Sequence, residues 1–121
     1  MVGLNKTVLC VDDDPSVLTF LRTFLELDGY TVITEKDGLA ALRTAANSAE
    51  IDAFVTDFNM DGLSGEKLCS EVRRVKPEVP ILMFTGSPET VPAPVRRLVD
   101  VLLSKEQGIR EVAAALKRVS A

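Results

Sequence analysis

Short apolar runs alternate along the chain with longer segments whose apolar residues recur every three or four positions. Thr7–Val11, Tyr30–Thr34, Ile51–Thr56, Pro80–Phe84 and Val99–Leu103 are the runs, and each reads as a strand. Between them, Val17, Phe20, Leu21, Phe24 and Leu25 form one apolar helical face. That helix starts at Pro15 with Asp14 as its N-cap and stops at Asp28-Gly29. A small Ala-rich helix is expected from about Gly38 to Ala46. Another is expected near Glu66–Val75, with Leu68, Cys69, Val72 and Val75 on one face. A last helix carries Ile109, Val112, Ala113 and Leu116. Strands alternating with helices imply right-handed βαβ units and a parallel sheet covered on both faces. The unbroken apolar strands fit that burial. The 121 residues read as one domain, with no linker, repeat or low-complexity segment.

Composition narrows the chemistry. The chain has no histidine and two cysteines, Cys10 and Cys69, both inside apolar patterns. Most nucleophilic triads, most zinc sites and the commonest general base are therefore absent. The cysteines read as core thiols, which fits a cytoplasmic protein. Net charge is −4, so a nucleic-acid surface is not expected. No run approaches the length of a membrane span, and no signal peptide is visible.

The polar residues that end the strands carry the chemistry. The first strand ends in Asp12 and Asp13, the third in Asp57, the fourth in Thr85 and the fifth in Lys105. In an open α/β sheet, ligands bind beyond the carboxyl ends of the strands, so these groups converge on one edge. Each alone has a plain explanation as a turn residue or a solvated charge. Together, carboxylates crowded at one edge call for a cation, and an all-oxygen donor set selects a hard ion such as Mg²⁺. A divalent ion and Lys105 together would offset the charge of an incoming phosphoryl group.

In this context the stretches "VLCVDDDP", "FVTDFNMDGLSG", "ILMFTGS" and "LLSKE" resemble the receiver domain of two-component response regulators. The resemblance covers essentially the whole chain. It implies a flavodoxin-like three-layer sandwich, with a five-stranded parallel sheet of order 2-1-3-4-5 and about five helices. It implies a phosphorylation-controlled signalling switch in the cytoplasm, with Asp57 as phosphoacceptor and Thr85 and Lys105 contacting the phosphoryl group. Asp12, Asp13, Asp57 and the backbone carbonyl of Asn59 would hold Mg²⁺, Asp12 mostly through water. The donor would be a sensor histidine kinase or a phosphotransfer protein. The target would be a downstream protein, with no nucleic acid and no membrane; oligomeric state stays open. Such a chain is no enzyme beyond its own phosphorylation and slow dephosphorylation. Residues 1–121 would form a single receiver domain without an output domain. With small polar Asn59 and Ser87 beside the site, a phosphoryl lifetime of minutes is expected.

The sequence departs from the family pattern at four places. Asp61 stands where a proline usually precedes Gly62. Glu106 follows Lys105 where a proline usually does, so a trans bond and a shifted loop are expected. Leu102 stands at the position of the usual switch aromatic. Pro92 and Pro94 fall where the fourth helix should run, so that helix should be short, displaced or replaced by a loop. Arg96 and Arg97 beside them read as a solvated pair or a partner site. Leu102, Glu106 and the proline-broken helix keep a second reading open: a receiver-like interaction module without phosphorylation-driven switching. A phosphatase using an aspartyl-phosphate is a third. It is disfavoured because Asn59 stands where its acid–base carboxylate would be.

Overall fold

The structure is a computed structural model that describes residues 4–48, 50–60 and 62–119. Five strands form one parallel sheet: β1 (Thr7–Val11), β2 (Thr31–Glu35), β3 (Ile51–Thr56), β4 (Ile81–Thr85) and β5 (Val101–Ser104). Their order across the sheet is β2-β1-β3-β4-β5, as expected. The helices are α1 (Pro15–Leu27), α2 (Gly38–Asn47), α3 (Gly65–Val75), α4 (Ala93–Arg96) and α5 (Ile109–Val119). Single 3₁₀ turns lie at Pro88–Thr90 and Lys105–Gln107.

Successive strand residues point to opposite faces, so each apolar run feeds two cores. Val8, Cys10, Ala53, Val55, Leu82, Phe84 and Leu103 pack under α1 and α5 against Leu18, Leu21, Leu25, Val112 and Leu116. Leu9, Val11, Phe54, Ile81 and Met83 pack on the other face, against Ala41, Ala45, Leu68, Cys69, Val72 and Val95. Asp14 caps α1 by accepting the Ser16 N–H, and Asp37 and Ser64 cap α2 and α3 in the same way.

Three local expectations need correction. Strands β2, β4 and β5 start one or two residues later than the apolar runs. Tyr30 and Pro80 are buried or half-buried lead-in residues that precede the ladder. On α1, Leu18, Leu21 and Leu25 are buried, whereas Phe20 and Phe24 are 57% and 39% exposed. Helical spacing marks a broad apolar arc, and the sheet covers only part of it. Arg96, though exposed, is more than a solvated charge: it donates to the carbonyl oxygens of Val91 and Pro88 and staples the short α4 to the turn before it.

The fourth helix is short, as the prolines imply. It is four residues long, with Pro92 at its N-cap and Pro94 in its first turn, where the missing N–H costs nothing. No cis peptide occurs among the described residues, so Lys105–Glu106 is trans. Asp61 lies outside the described residues.

Arg73 of α3 ties this region to the rest of the fold. It donates to the carbonyl oxygens of Pro77, Val79 and Leu98 and pairs with Asp100 at 3.0 Å. Asp100 in turn accepts the Ile81 N–H at 2.8 Å. Arg73→Ala should lower stability by about 1–3 kcal/mol, because several carbonyls lose a charged donor at once. The exposed Arg97→Ala should shift it by less than about 0.5 kcal/mol. Urea denaturation of both variants checks the contrast.

Candidate functional site

Each strand that ends at the sheet's carboxyl edge delivers one polar group. Asp12 follows β1, and its N–H donates to Glu35 O on β2. Asp57 follows β3 and donates its N–H to Val11 O on β1. These two ladder bonds set the two aspartates side by side. Asp12 and Asp57 are only 2% and 6% exposed, whereas Asp13 faces solvent. One carboxylate oxygen from each of Asp12, Asp13 and Asp57 lies within 4.8 Å of the others.

Lys105 opens the 3₁₀ turn after β5 and reaches into this cluster. Its ammonium lies 2.8 Å from Asp12 Oδ2 and 2.9 Å from Asp57 Oδ2. The remaining oxygens are held by backbone. Asp12 Oδ1 accepts the Asp14 N–H, and Asp57 Oδ1 accepts the Phe58 N–H at 2.7 Å and the Asn59 N–H at 3.3 Å. Asn59 lines a cleft of about 370 Å³ with Asp13, Phe58, Met60 and Ser64. Thr85 is fully buried at the end of β4, and its hydroxyl accepts the Ser87 N–H at 3.4 Å. Its strand pairs with β5 so that Thr85 stands opposite Ser104, the residue before Lys105.

Electrostatics follow from burial. Desolvation pushes the Asp12 carboxyl up, against the opposing pull of Lys105 and the Asp14 N–H. Burial alone would lower Lys105, but its bonds to Asp12 and Asp57 outweigh burial and raise it. One ammonium faces three carboxylates, so negative charge remains. Oxygen donors alone, partly open to solvent through Asp13, suit a hard divalent ion with room for waters and further oxygens. The thiols take no part: burial pushes Cys10 and Cys69 up to about 12.

The edge therefore gathers Asp12, Asp13, Asp57, Asn59 and Lys105, with Thr85 one strand away. Sequence reasoning missed Thr56, whose buried hydroxyl bonds the Asp57 carbonyl oxygen. The one signal was a hydroxyl residue interrupting the apolar run of "AFVTD".

This fold and this edge are those of a receiver, and comparison with known proteins agrees. Residues 8–117 match the family model described as the response regulator receiver domain, so the chain belongs to that family. Receivers of this family serve two-component signalling and are phosphorylated on an aspartate. The chain is similar to the alkaline phosphatase synthesis transcriptional regulatory protein PhoP of Bacillus subtilis, with 41% identity over 71% of this chain and 35% of PhoP. It is also similar to the transcriptional regulatory protein GlrR of Escherichia coli, with 37% identity over 65% of this chain and 18% of GlrR. The chain thus spans about a third or less of the length of these relatives. Among solved structures it resembles the response regulator protein TrrA of Thermotoga maritima in complex with Mg(2+)-BeF. The TM-score is 0.87 at 25% identity, covering 94% of this chain and 98% of TrrA. It also resembles the chemotaxis protein CheY4 of Vibrio cholerae, with TM-score 0.83 and 30% identity, covering 94% of this chain and 98% of CheY4. No described helix is long and apolar enough to cross a membrane.

Lys105→Ala should destabilise the protein by about 2–4 kcal/mol near neutral pH, because two desolvated carboxylates lose their shared cation. A carboxyl whose folded pKa lies above its unfolded value gains stability as pH falls through that folded pKa. Burial holds the folded Asp12 carboxyl above its unfolded value, so the gap between variant and wild type should narrow as pH falls below neutrality and Asp12 protonates. Urea midpoints measured at falling pH check both the size and the sign.

Proposed function

We propose that Asp57 is the phosphoacceptor and that phosphorylation there controls partner binding. The observation that carries this reading is the meeting of Asp12, Asp13, Asp57 and Lys105 at one edge. A carboxylate oxygen of Asp57 attacks the phosphorus of a phosphohistidine on a sensor kinase or phosphotransfer protein. The P–N bond breaks, and the imidazole leaves with its electron pair. Lys105, already bonded to Asp57, pairs with the phosphoryl oxygens. Thr85 turns its hydroxyl toward them. Asp13, Asp57 and the Asn59 carbonyl would hold Mg²⁺ directly, and Asp12 through water. Bound Mg²⁺ supplies neutralisation of the charge on the transferring group. The chain catalyses only its own phosphorylation and slow hydrolysis, in the cytoplasm. The transcriptional relatives suggest an output at a promoter, taken through a partner or through sequence outside the receiver fold.

Incubation with Mg²⁺ and acetyl phosphate should add one phosphoryl group by intact mass, and Asp57→Asn should add none. A wild-type mass that stays unchanged would reject the assignment.

The phosphodonor's docking face is supported by α1. Phe20, Phe24 and Leu27 follow one another along the helix and are 57%, 39% and 71% exposed. Phe20 shares an apolar cleft of about 190 Å³ with Val17, Phe84, Ile109 and Lys105 itself. An apolar stripe that runs up to the reactive edge fits a helix of the donor protein. Phe20→Ser should slow transfer from a phosphorylated histidine-containing donor protein at least about tenfold. Labelling by acetyl phosphate should be unchanged, because the small donor needs no docking face.

A specific observation favours the second reading as well. Leu102 supplies no ring to swing, and Arg96 fastens the segment that follows Thr85. A partner that binds equally well with and without phosphodonor would favour the module reading over the switch.

A further inference from the structure

Asp12, Thr56, Asp57 and Thr85 are the buried polar side chains among the described residues. The site described above uses all of them except Thr56. The Thr56 hydroxyl donates to the backbone carbonyl oxygen of Asp57 at 2.8 Å. That carbonyl belongs to the peptide joining Asp57 to Phe58, whose N–H donates to Asp57 Oδ1 at 2.7 Å. A peptide is a rigid plane. Its oxygen is therefore held by Thr56, and its N–H is held against the Asp57 carboxylate. In addition, α3 presses on Phe58: a Cβ at Gly65 would lie 2.7 Å from the Phe58 carbonyl oxygen and 2.8 Å from its Cα. Only a residue without a side chain allows that approach.

From this geometry we propose that Thr56 is a positioning residue for phosphoryl transfer. It acts through the Asp57–Phe58 peptide, whose Phe58 end is also confined by the close approach of Gly65. The fixed N–H assigns one carboxylate oxygen, Oδ1, to backbone donors and leaves Oδ2 directed at Lys105, 2.9 Å away. Without the hydroxyl the peptide is free to tilt, and the carboxylate loses the orientation that the in-line reaction needs. The inference rests on the reading of Asp57 as phosphoacceptor.

The test compares Thr56→Val, which removes the donor and keeps the branched shape, with Thr56→Ser, which keeps the donor and gives up a buried methyl. Both variants should melt below wild type. Labelling by acetyl phosphate with Mg²⁺ should be about tenfold slower in Thr56→Val and close to wild type in Thr56→Ser. Amide hydrogen exchange at Phe58 should be faster in Thr56→Val only. A purely structural role would instead make both rates follow the melting temperatures, and that result overturns the proposal. So does a Thr56→Val protein that labels like wild type with unchanged exchange at Phe58. Thr56→Ala serves in place of Thr56→Val if the latter does not fold. If wild type itself takes no label, the phosphoacceptor reading falls. The Phe58 exchange then decides alone: faster in Thr56→Val than in Thr56→Ser supports the positioning role, and equal rates overturn it.

Discussion

The ammonium of Lys105, wedged between two desolvated carboxylates, is the contact on which the site depends. Asp12 and Asp57 have been taken almost wholly out of water by the ends of β1 and β3. Ionised groups in such a place need a partner at close range, and Lys105 is within hydrogen-bond reach of both. Backbone N–H groups take up the remaining oxygens, so every buried polar side-chain atom among the described residues has a partner. The charge is still not balanced, because Asp13 adds a third carboxylate and, among the described residues, Lys105 is the one cation bonded to the cluster. That imbalance is what makes the edge useful. A fully neutralised cluster would gain little from a divalent ion, whereas one left with net negative charge would gain by holding it.

The parallel sheet makes the cluster possible. All five strands run the same way, so the residues that follow β1, β3, β4 and β5 share one rim although they are far apart in sequence. This much could be read from the chain, because a strand's end is marked by the change from apolar to polar residues and the topology fixes where that end lies. The two cores could also be read, since a parallel strand buried on both faces has no polar alternation. What the sequence hid was local. The exposed Phe20 and Phe24 look like core residues on α1, because periodicity shows which side of a helix is apolar and not how much of that side the sheet covers. Thr56 looked like an ordinary strand residue. Its role depends on where a hydroxyl points at the last rung of β3, and residue spacing carries no information about that.

Arginine side chains explain why the β4–β5 connection can lose most of a helix and remain ordered. A normal helix satisfies its own backbone carbonyls, and prolines at 92 and 94 leave room for only one turn here. Arg96 takes the carbonyl oxygens of Pro88 and Val91, and Arg73 takes that of Leu98 while also holding those of Pro77 and Val79 before β4. Guanidinium suits this work, since its planar fork presents several donors in fixed directions. The basic pair that looked like a solvated patch therefore divides. Both are exposed, and Arg96 in addition staples backbone carbonyls.

The two sides of the reactive edge thus differ in mechanical character. Toward β4 and α4, Thr85 leads into a segment fastened by Arg96, with Leu102 half-buried beside it on β5. Toward α1 and α5, Lys105 lines an open apolar cleft with Phe20 and Ile109. A change in charge at Asp57 acts first on its direct partner, which is Lys105, and the lysine's stem already forms part of the α1–α5 surface. Charge and apolar surface are therefore joined through one side chain on that side. On the other side, any signal must first loosen hydrogen bonds that the arginines hold. Coupling follows the element with two accessible arrangements, and a half-exposed lysine is easier to move than a stapled backbone. The α1–α5 face is accordingly the side that Lys105, the direct partner of Asp57, reaches.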